Sequence, residues 1–343
     1  MLFRSGPLVG TIGGLGSWIA LIFKSAFALI GMGAYLTLYV DVPMIPLALV
    51  LTLAFGLLNI FGAKETALLQ RVLVTALVLI MAFFLIVGLN YMFTPENSVD
   101  LRGQTDFFTN GVNGFISTIG LVFVSYAGLT KVASIAEEVQ NPDWSIPMGM
   151  IFSLITASLV YVVGVFIMVK VLPTDQFYAS LTPVADVGEI VMSFMPSSTG
   201  VLLIVIAAIA AFASTGNAGI LSASRYPLAM SRDGLLSPVF QTIGRFKTPH
   251  TSVIVTTIIM AAVLLLFDVE AVAKLASAFQ LLLFGLINLS VIVMRESQIE
   301  AYKPGYKSPL YPWIQIFGMI ISMWLIAEMG LLAVGLTGAV IIF

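Results

Sequence analysis

The sequence predicts an all-α integral membrane protein of about ten transmembrane helices. Three observations carry this. Hydrophobic residues make up 59% of the 343 and charged residues only 9%, where an ordinary soluble domain carries about a quarter charged residues. Mean hydropathy is +1.08. Apolar runs near the length a bilayer demands, about 20 residues, recur between short clusters of Pro, Gly and charge. A net charge of −2 gives no basic face for nucleic acid. With no cysteine, disulfides, thiolate metal sites and cysteine nucleophiles are excluded.

The ten segments are 8–38, 43–61, 66–93, 109–130, 146–172, 198–224, 250–267, 271–294, 310–327 and 329–343. Between them, "YVDVP", "GAKE", "TPENSVDLRGQTD", "EEVQNPDWSIP", "SRDGLLSP", "RFKTPH" and "RESQIEAYKPGYKSP" supply turn formers or helix-breaking proline. The opening "MLFRSGPLVG" leads directly into an apolar run too long for a signal core, so no cleavable signal is expected. One integral domain, 1–343, is expected, with no soluble one.

Ten spans divide the loops into two alternating sets. One holds Arg4, Lys64, Arg71, Lys131, Arg225, Arg232, Arg245, Lys247, Arg295, Lys303 and Lys307; the other holds Arg102, Lys170 and Lys274. Eleven cations against three is a strong positive-inside bias. It predicts a multi-pass cell-membrane protein with a cytoplasmic N-terminus. A miscounted helix would scramble the alternation after it.

In the first segment, "LIFKSAFALIGMG" places Lys24 deep in an apolar run. Facing lipid, it would cost at least about 2.5–3.5 kcal/mol. Its neighbours at helical spacing are Ser17, Ala20, Ala28, Gly31 and Tyr35, a stripe of small residues ending in a tyrosine. Such stripes mark helix–helix contact in membranes. Lys24 is therefore expected to point into the bundle or a wet cavity. It serves there either as a packing clamp or beside a ligand or proton path. The acids near span interiors are Glu189 and Glu328.

The fourth segment is interrupted. "GFISTIGLVFVSYAGLT" begins as an apolar helix, then gathers small and polar residues around Gly128. Backbone groups freed at membrane depth must line a cavity or be buried in protein. Discontinuous helices of this kind build substrate sites in secondary transporters. A kinked helix without function is the plainer reading.

"FVSYAG", then "ASIAEEVQNP" and "SIP", resembles the sixth helix and following loop of amino acid permeases in the amino acid–polyamine–organocation superfamily. "ASTGNAGILSASRYPLAMSRDGLLSP" resembles that family's eighth helix, and "GSWIALIFKSAFALIGMGAYL" its third. The likeness runs through essentially the whole chain in order. It implies a leucine-transporter-type bundle of two inverted repeats, with the ten spans matching family helices three to twelve. Residues 1–93 would be the remnant of the first repeat, 105–295 the second repeat and 308–343 two accessory helices. The family's first two helices have no counterpart, so an N-terminally truncated permease is expected.

Carried over by this resemblance, Val124, Ser125, Tyr126, Ala127 and Gly128 occupy the unwound stretch of the substrate site. Relatives often have a gating aromatic where Val124 stands; Phe123 or Tyr126 would serve instead. Many have an acid where Thr130 stands. Lys24, Ser25 and Ala28 match cavity-lining positions, and Ser214, Asn217 and Gly219 match the cavity-facing stretch of the eighth helix. Interhelical hydrogen bonding is an equally good reading of Ser214 and Asn217. Arg225, Arg232 and Asp233, with Glu137 and Glu138, read as a structural loop network, the alternative being an inner gate. Gln280, beside Phe279, is a weaker cavity candidate. Trp18, Trp313 and Trp324 suit packing or interfacial anchoring.

The implied function is secondary active transport of amino acids by alternating access. The proton is the coupling ion through Lys24, with sodium left open, and neutral or acidic substrates are favoured over cationic ones. The alternative is a non-transporting, permease-derived sensor or partner subunit. Besides substrate, proton and membrane lipid, no cofactor or metal is implied, and oligomeric state is not legible. An enzyme would need a nucleophile–base pair, a metal site or paired carboxylates within reach. The single histidine, His250, lies in a polar stretch, and no enzyme is expected.

Overall fold

All ten predicted segments are helical in the structure, a computed structural model that describes residues 2–62, 67–94, 108, 111–128, 139–196, 199–246, 248–297 and 304–342. The helices are α1 (Leu2–Leu36), α2 (Met44–Phe61), α3 (Ala67–Phe93), α4 (Gly111–Val122), α5 (Pro142–Val171), α6 (Thr174–Ala179), α7 (Pro183–Val191), α8 (Thr199–Arg232), α9 (His250–Leu266), α10 (Val269–Glu296), α11 (Trp313–Glu328) and α12 (Leu331–Ile342). Among the described residues, six helices are long and apolar enough to cross a bilayer; the segments at 111–126, 250–266, 313–328 and 331–341 are apolar but shorter.

The helix ends follow local chemistry. Asp268 caps α10 by accepting from the Ala271 amide at 2.7 Å. Proline stands at the start of α5, where its missing N–H costs nothing. Gly62 ends α2 in the left-handed region, at φ 75°, and donates its amide to the Asn59 and Leu58 carbonyls.

The bundle is built around α1. Two-thirds of its span is buried (67%), against 11% for α5. α1 runs antiparallel to α8 along a seam of glycines. A methyl group on Gly31 would meet Phe212 at 2.7 Å, one on Gly216 would meet Leu29 at 2.6 Å, and one on Gly14 would meet Met230 at 2.7 Å. Gly219 faces Ser25 more closely still. Residue numbers rise on one helix as they fall on the other, which fixes the direction. Small residues permit this approach because lipid supplies no hydrophobic drive between helices.

Two apolar cores result. The larger joins α1 (Ile22, Leu29), α8 (Ile220), α9 (Val253, Met260) and α10 (Leu275, Phe279). The smaller joins α3 (Phe84), α5 (Ile167), α7 (Val187) and the start of α8 (Ile204).

Two features depart from the sequence reading. α8 continues past the predicted end at 224, through Pro227, to Arg232. Hydropathy marks where lipid ends, not where a helix ends, and Arg225 is exposed. The short α6 and α7 fall between the predicted segments 146–172 and 198–224, outside any expected helix. They are too brief for a hydropathy window and are held by Ser180, whose hydroxyl donates to Asp186 and accepts from the Thr182 amide.

Candidate functional site

The site begins where α4 stops being an α-helix. After Val122 the chain tightens into a 3-10 turn over Phe123–Tyr126. Such a change releases backbone groups that need new partners. Ser277 of α10 supplies two of them: its hydroxyl accepts from the Val124 amide at 2.9 Å and donates to the Leu121 carbonyl at 2.7 Å. Ser277 is fully buried, so no water competes for this bridge. Tyr161 of α5 donates its hydroxyl to the Ser125 carbonyl at 3.3 Å. Ser158 donates to the Tyr126 hydroxyl at 3.4 Å, and the rings of Tyr126 and Tyr161 meet edge to face at 5.4 Å. The interruption is therefore a built feature, tied to α10 on one side and to α5 on the other.

Lys24 reaches this interruption. Its Nζ would lie 3.9 Å from a Cβ placed on Gly128. Lys24 stands near the middle of the span Gly10–Leu36 and is half-buried between buried Phe23 and Ser25. On the interrupted segment, Val124 and Ala127 are buried while Ser125 and Gly128 are exposed. The lysine and the polar backbone of the broken helix thus share one region.

The other expected site residues divide. Ser25 and Ala28 are buried on α1, with Ser25 against Gly219 of α8. Ser25 belongs to the seam, while Ser214 is partly buried on α8. Asn217 accepts a 2.8 Å hydrogen bond from Asn59 of α2, which places it in an interhelical contact. Phe123 meets Phe284 of α10 edge to face at 5.3 Å, and Tyr126 is engaged with α5, so both aromatic candidates are packed on the interrupted segment. Gln280 is buried among its α10 neighbours. Arg225, Arg232 and Asp233 are exposed. Thr130, Glu137 and Glu138 lie outside the described residues. Trp18 is buried and donates to Thr256 at 3.0 Å, while Trp313 is exposed at the start of α11.

Ser277, Tyr161 and Asn59 escaped the sequence reading. The signal for Ser277 is a hydroxyl in "KLASAFQ", three residues before Gln280. Tyr161 and Asn59 are single polar groups in apolar runs, with nothing local to name their partners.

This is a multi-pass, all-helical membrane protein whose central helix presents a lysine to a broken one. The chain belongs to the amino acid permease family, which it matches over residues 5–340. It is 28% identical over 281 residues to the methylthioribose transporter of Bacillus subtilis, covering 82% of this chain and 58% of that protein. It is 31% identical over 260 residues to cationic amino acid transporter 3, mitochondrial, of Arabidopsis thaliana, covering 74% of this chain and 41% of that one. It is 28% identical over 284 residues to the branched-chain amino acid permease BcaP of Bacillus subtilis, covering 82% and 58%. The chain thus spans about half the length of the curated relatives it matches. These relatives are named as transporters or permeases, not as enzymes.

Proposed function

We propose that the chain carries the transport function of an amino acid permease, moving an amino acid or a related small polar substrate by alternating access. The observation that carries this reading is the approach of Lys24 to Gly128 at the interrupted helix. An ammonium beside the interrupted helix gives a zwitterion's carboxylate a counter-charge. Lys24 is also the group we assign to proton coupling, since intramembrane ionisable residues commonly mark such paths. Its charge disfavours cationic side chains, so neutral or acidic substrates fit best. The cationic bias of one loop set supports a cytoplasmic N-terminus.

The test is uptake of a labelled amino acid pool, with labelled methylthioribose alongside, into proteoliposomes under an inward proton gradient. The expected result is uptake that collapses with the gradient, and loss of gradient dependence in Lys24→Met. Gradient-dependent uptake unchanged in that variant would remove Lys24 from coupling. No uptake of any compound by folded protein would overturn transport by this chain and favour the sensor or partner-subunit reading.

A further inference from the structure

A second polar cluster lies far along the chain from Lys24, where α10 ends and α11 begins. Arg295, in the last turn of α10, lays its guanidinium over the Tyr311 ring at 4.4 Å from the centroid. Tyr311 donates its hydroxyl to Glu296 at 2.7 Å. Ser308 accepts from Arg295 Nη2 at 3.4 Å and from Gln315 Nε2 at 2.7 Å. Two atoms in this cluster remain unsatisfied though buried: the Arg295 Nε donor and the Gln315 Oε1 acceptor. Gln315 is only 4% exposed. Among the described residues no carboxylate lies within ion-pair distance of Arg295.

These orphans have opposite sense. A buried donor on a cation and a buried acceptor, on two side chains that both bond Ser308, suit one ligand with an anionic oxygen next to an O–H or N–H. Leaving either unpaired is costly. The surroundings set the depth. Trp313 and Leu310 are 72% and 75% exposed, and such a tryptophan belongs at the headgroup level. Lys307 is exposed one residue from Ser308. The loop falls in the cation-rich set of the sequence, which faces the anionic cytoplasmic leaflet if the positive-inside assignment holds.

We infer that Arg295, Ser308 and Gln315 form a binding site for the headgroup of an anionic, hydroxyl-bearing phospholipid of the phosphatidylglycerol type. The phosphate oxygen accepts from Arg295 Nε, and the headgroup hydroxyl donates to Gln315 Oε1. Tyr311 holds the guanidinium plane in place, and Trp313 and Leu310 border the acyl region. The ligand staples the α10–α11 corner.

The test is thermal unfolding of the full chain in detergent, followed by tryptophan fluorescence, during titration with phosphatidylglycerol, phosphatidylcholine, phosphatidic acid or inorganic phosphate. Native mass spectrometry of the same samples counts bound lipid. Phosphatidylglycerol should raise the unfolding midpoint and remain bound, with phosphatidylcholine and inorganic phosphate inert. Arg295→Gln should weaken the phosphatidylglycerol response about tenfold or more, the loss of a charge-assisted hydrogen bond. Should that variant not fold, Gln315→Leu keeps the guanidinium on Tyr311 and should erase the preference for phosphatidylglycerol over phosphatidic acid. A shift with inorganic phosphate alone would assign the anion to solution and overturn the lipid source. Equal shifts with phosphatidylcholine, or responses unchanged in both variants, would overturn the site and leave a bridging water as the ligand of both orphans.

Discussion

The Lys24 amine lies against Gly128: a methyl group on that glycine would sit 3.9 Å from Nζ, at ordinary van der Waals contact. A residue with only a Cβ fits there without displacing the lysine. Gly128→Ala should therefore retain substrate binding in detergent. Gly128→Leu, which adds bulk beside the lysine amine, should weaken it by about tenfold. Equal affinities in the two variants would show that the space between Lys24 and Gly128 is not used by substrate.

Ser277 bridges the Val124 amide and the Leu121 carbonyl in a fully buried position. Ser277→Ala leaves both without that partner, at a cost of about 1–3 kcal/mol. The expected signature is a lower denaturant midpoint together with faster hydrogen exchange at Val124. Faster exchange confined to other helices would argue that the 3-10 turn does not depend on this serine.

The close approach of Gly219 to Ser25 predicts a size swap. Gly219→Ala drives a methyl group onto the serine side chain and should destabilise the chain by about 1–3 kcal/mol. Removing the opposing side chain as Ser25→Gly in the same chain should recover part of that loss, less about 1 kcal/mol for glycine within a helix. A double-mutant cycle reads the coupling directly. Strictly additive effects would mean that the two positions do not press on each other.

Asn217, read from sequence as either a cavity residue or an interhelical hydrogen-bonding one, accepts from Asn59 at 2.8 Å. If the contact is structural, Asn217→Ala should lower stability by about 0.6–1.7 kcal/mol, the range for interhelical hydrogen bonds in membranes. Substrate affinity should stay within about twofold. A large loss of affinity with stability intact would return Asn217 to the substrate site.

How much of this was legible follows from what lipid demands. Every apolar run became a helix, because a spanning segment must satisfy its own backbone. The interruption at Val124–Gly128 was legible too, since Ser125, Tyr126 and Gly128 break an apolar run together. Family resemblance assigned Lys24 to the cavity lining and Gly128 to the unwound stretch, but the approach of one to the other comes from the structure alone. What could not be read were the partners in three dimensions. Nothing around Ser277 in sequence points to Leu121, and nothing around Asn59 points to Asn217. A hydroxyl or amide in an apolar helix announces that it needs a partner without saying on which helix. The α6–α7 turns failed for another reason: their stability comes from the Ser180–Asp186–Thr182 contacts and from packing under α8, not from length or hydropathy.

The glycine seam between α1 and α8 has a mechanical meaning. Its sockets lie on both helices, with Gly14 and Gly31 on α1 receiving Met230 and Phe212, and Gly216 and Gly219 on α8 receiving Leu29 and Ser25. Such a joint is keyed in both directions. Sliding either helix along the other would drive a side chain into a backbone ridge, and close-packed interiors do not yield continuously. The pair therefore behaves as one beam, free to tilt as a unit but not to telescope. Relative movement must be taken up elsewhere, as at the 3-10 segment, which is tied to α10 and α5 by the Ser277 and Tyr161 hydroxyls and by two ring contacts.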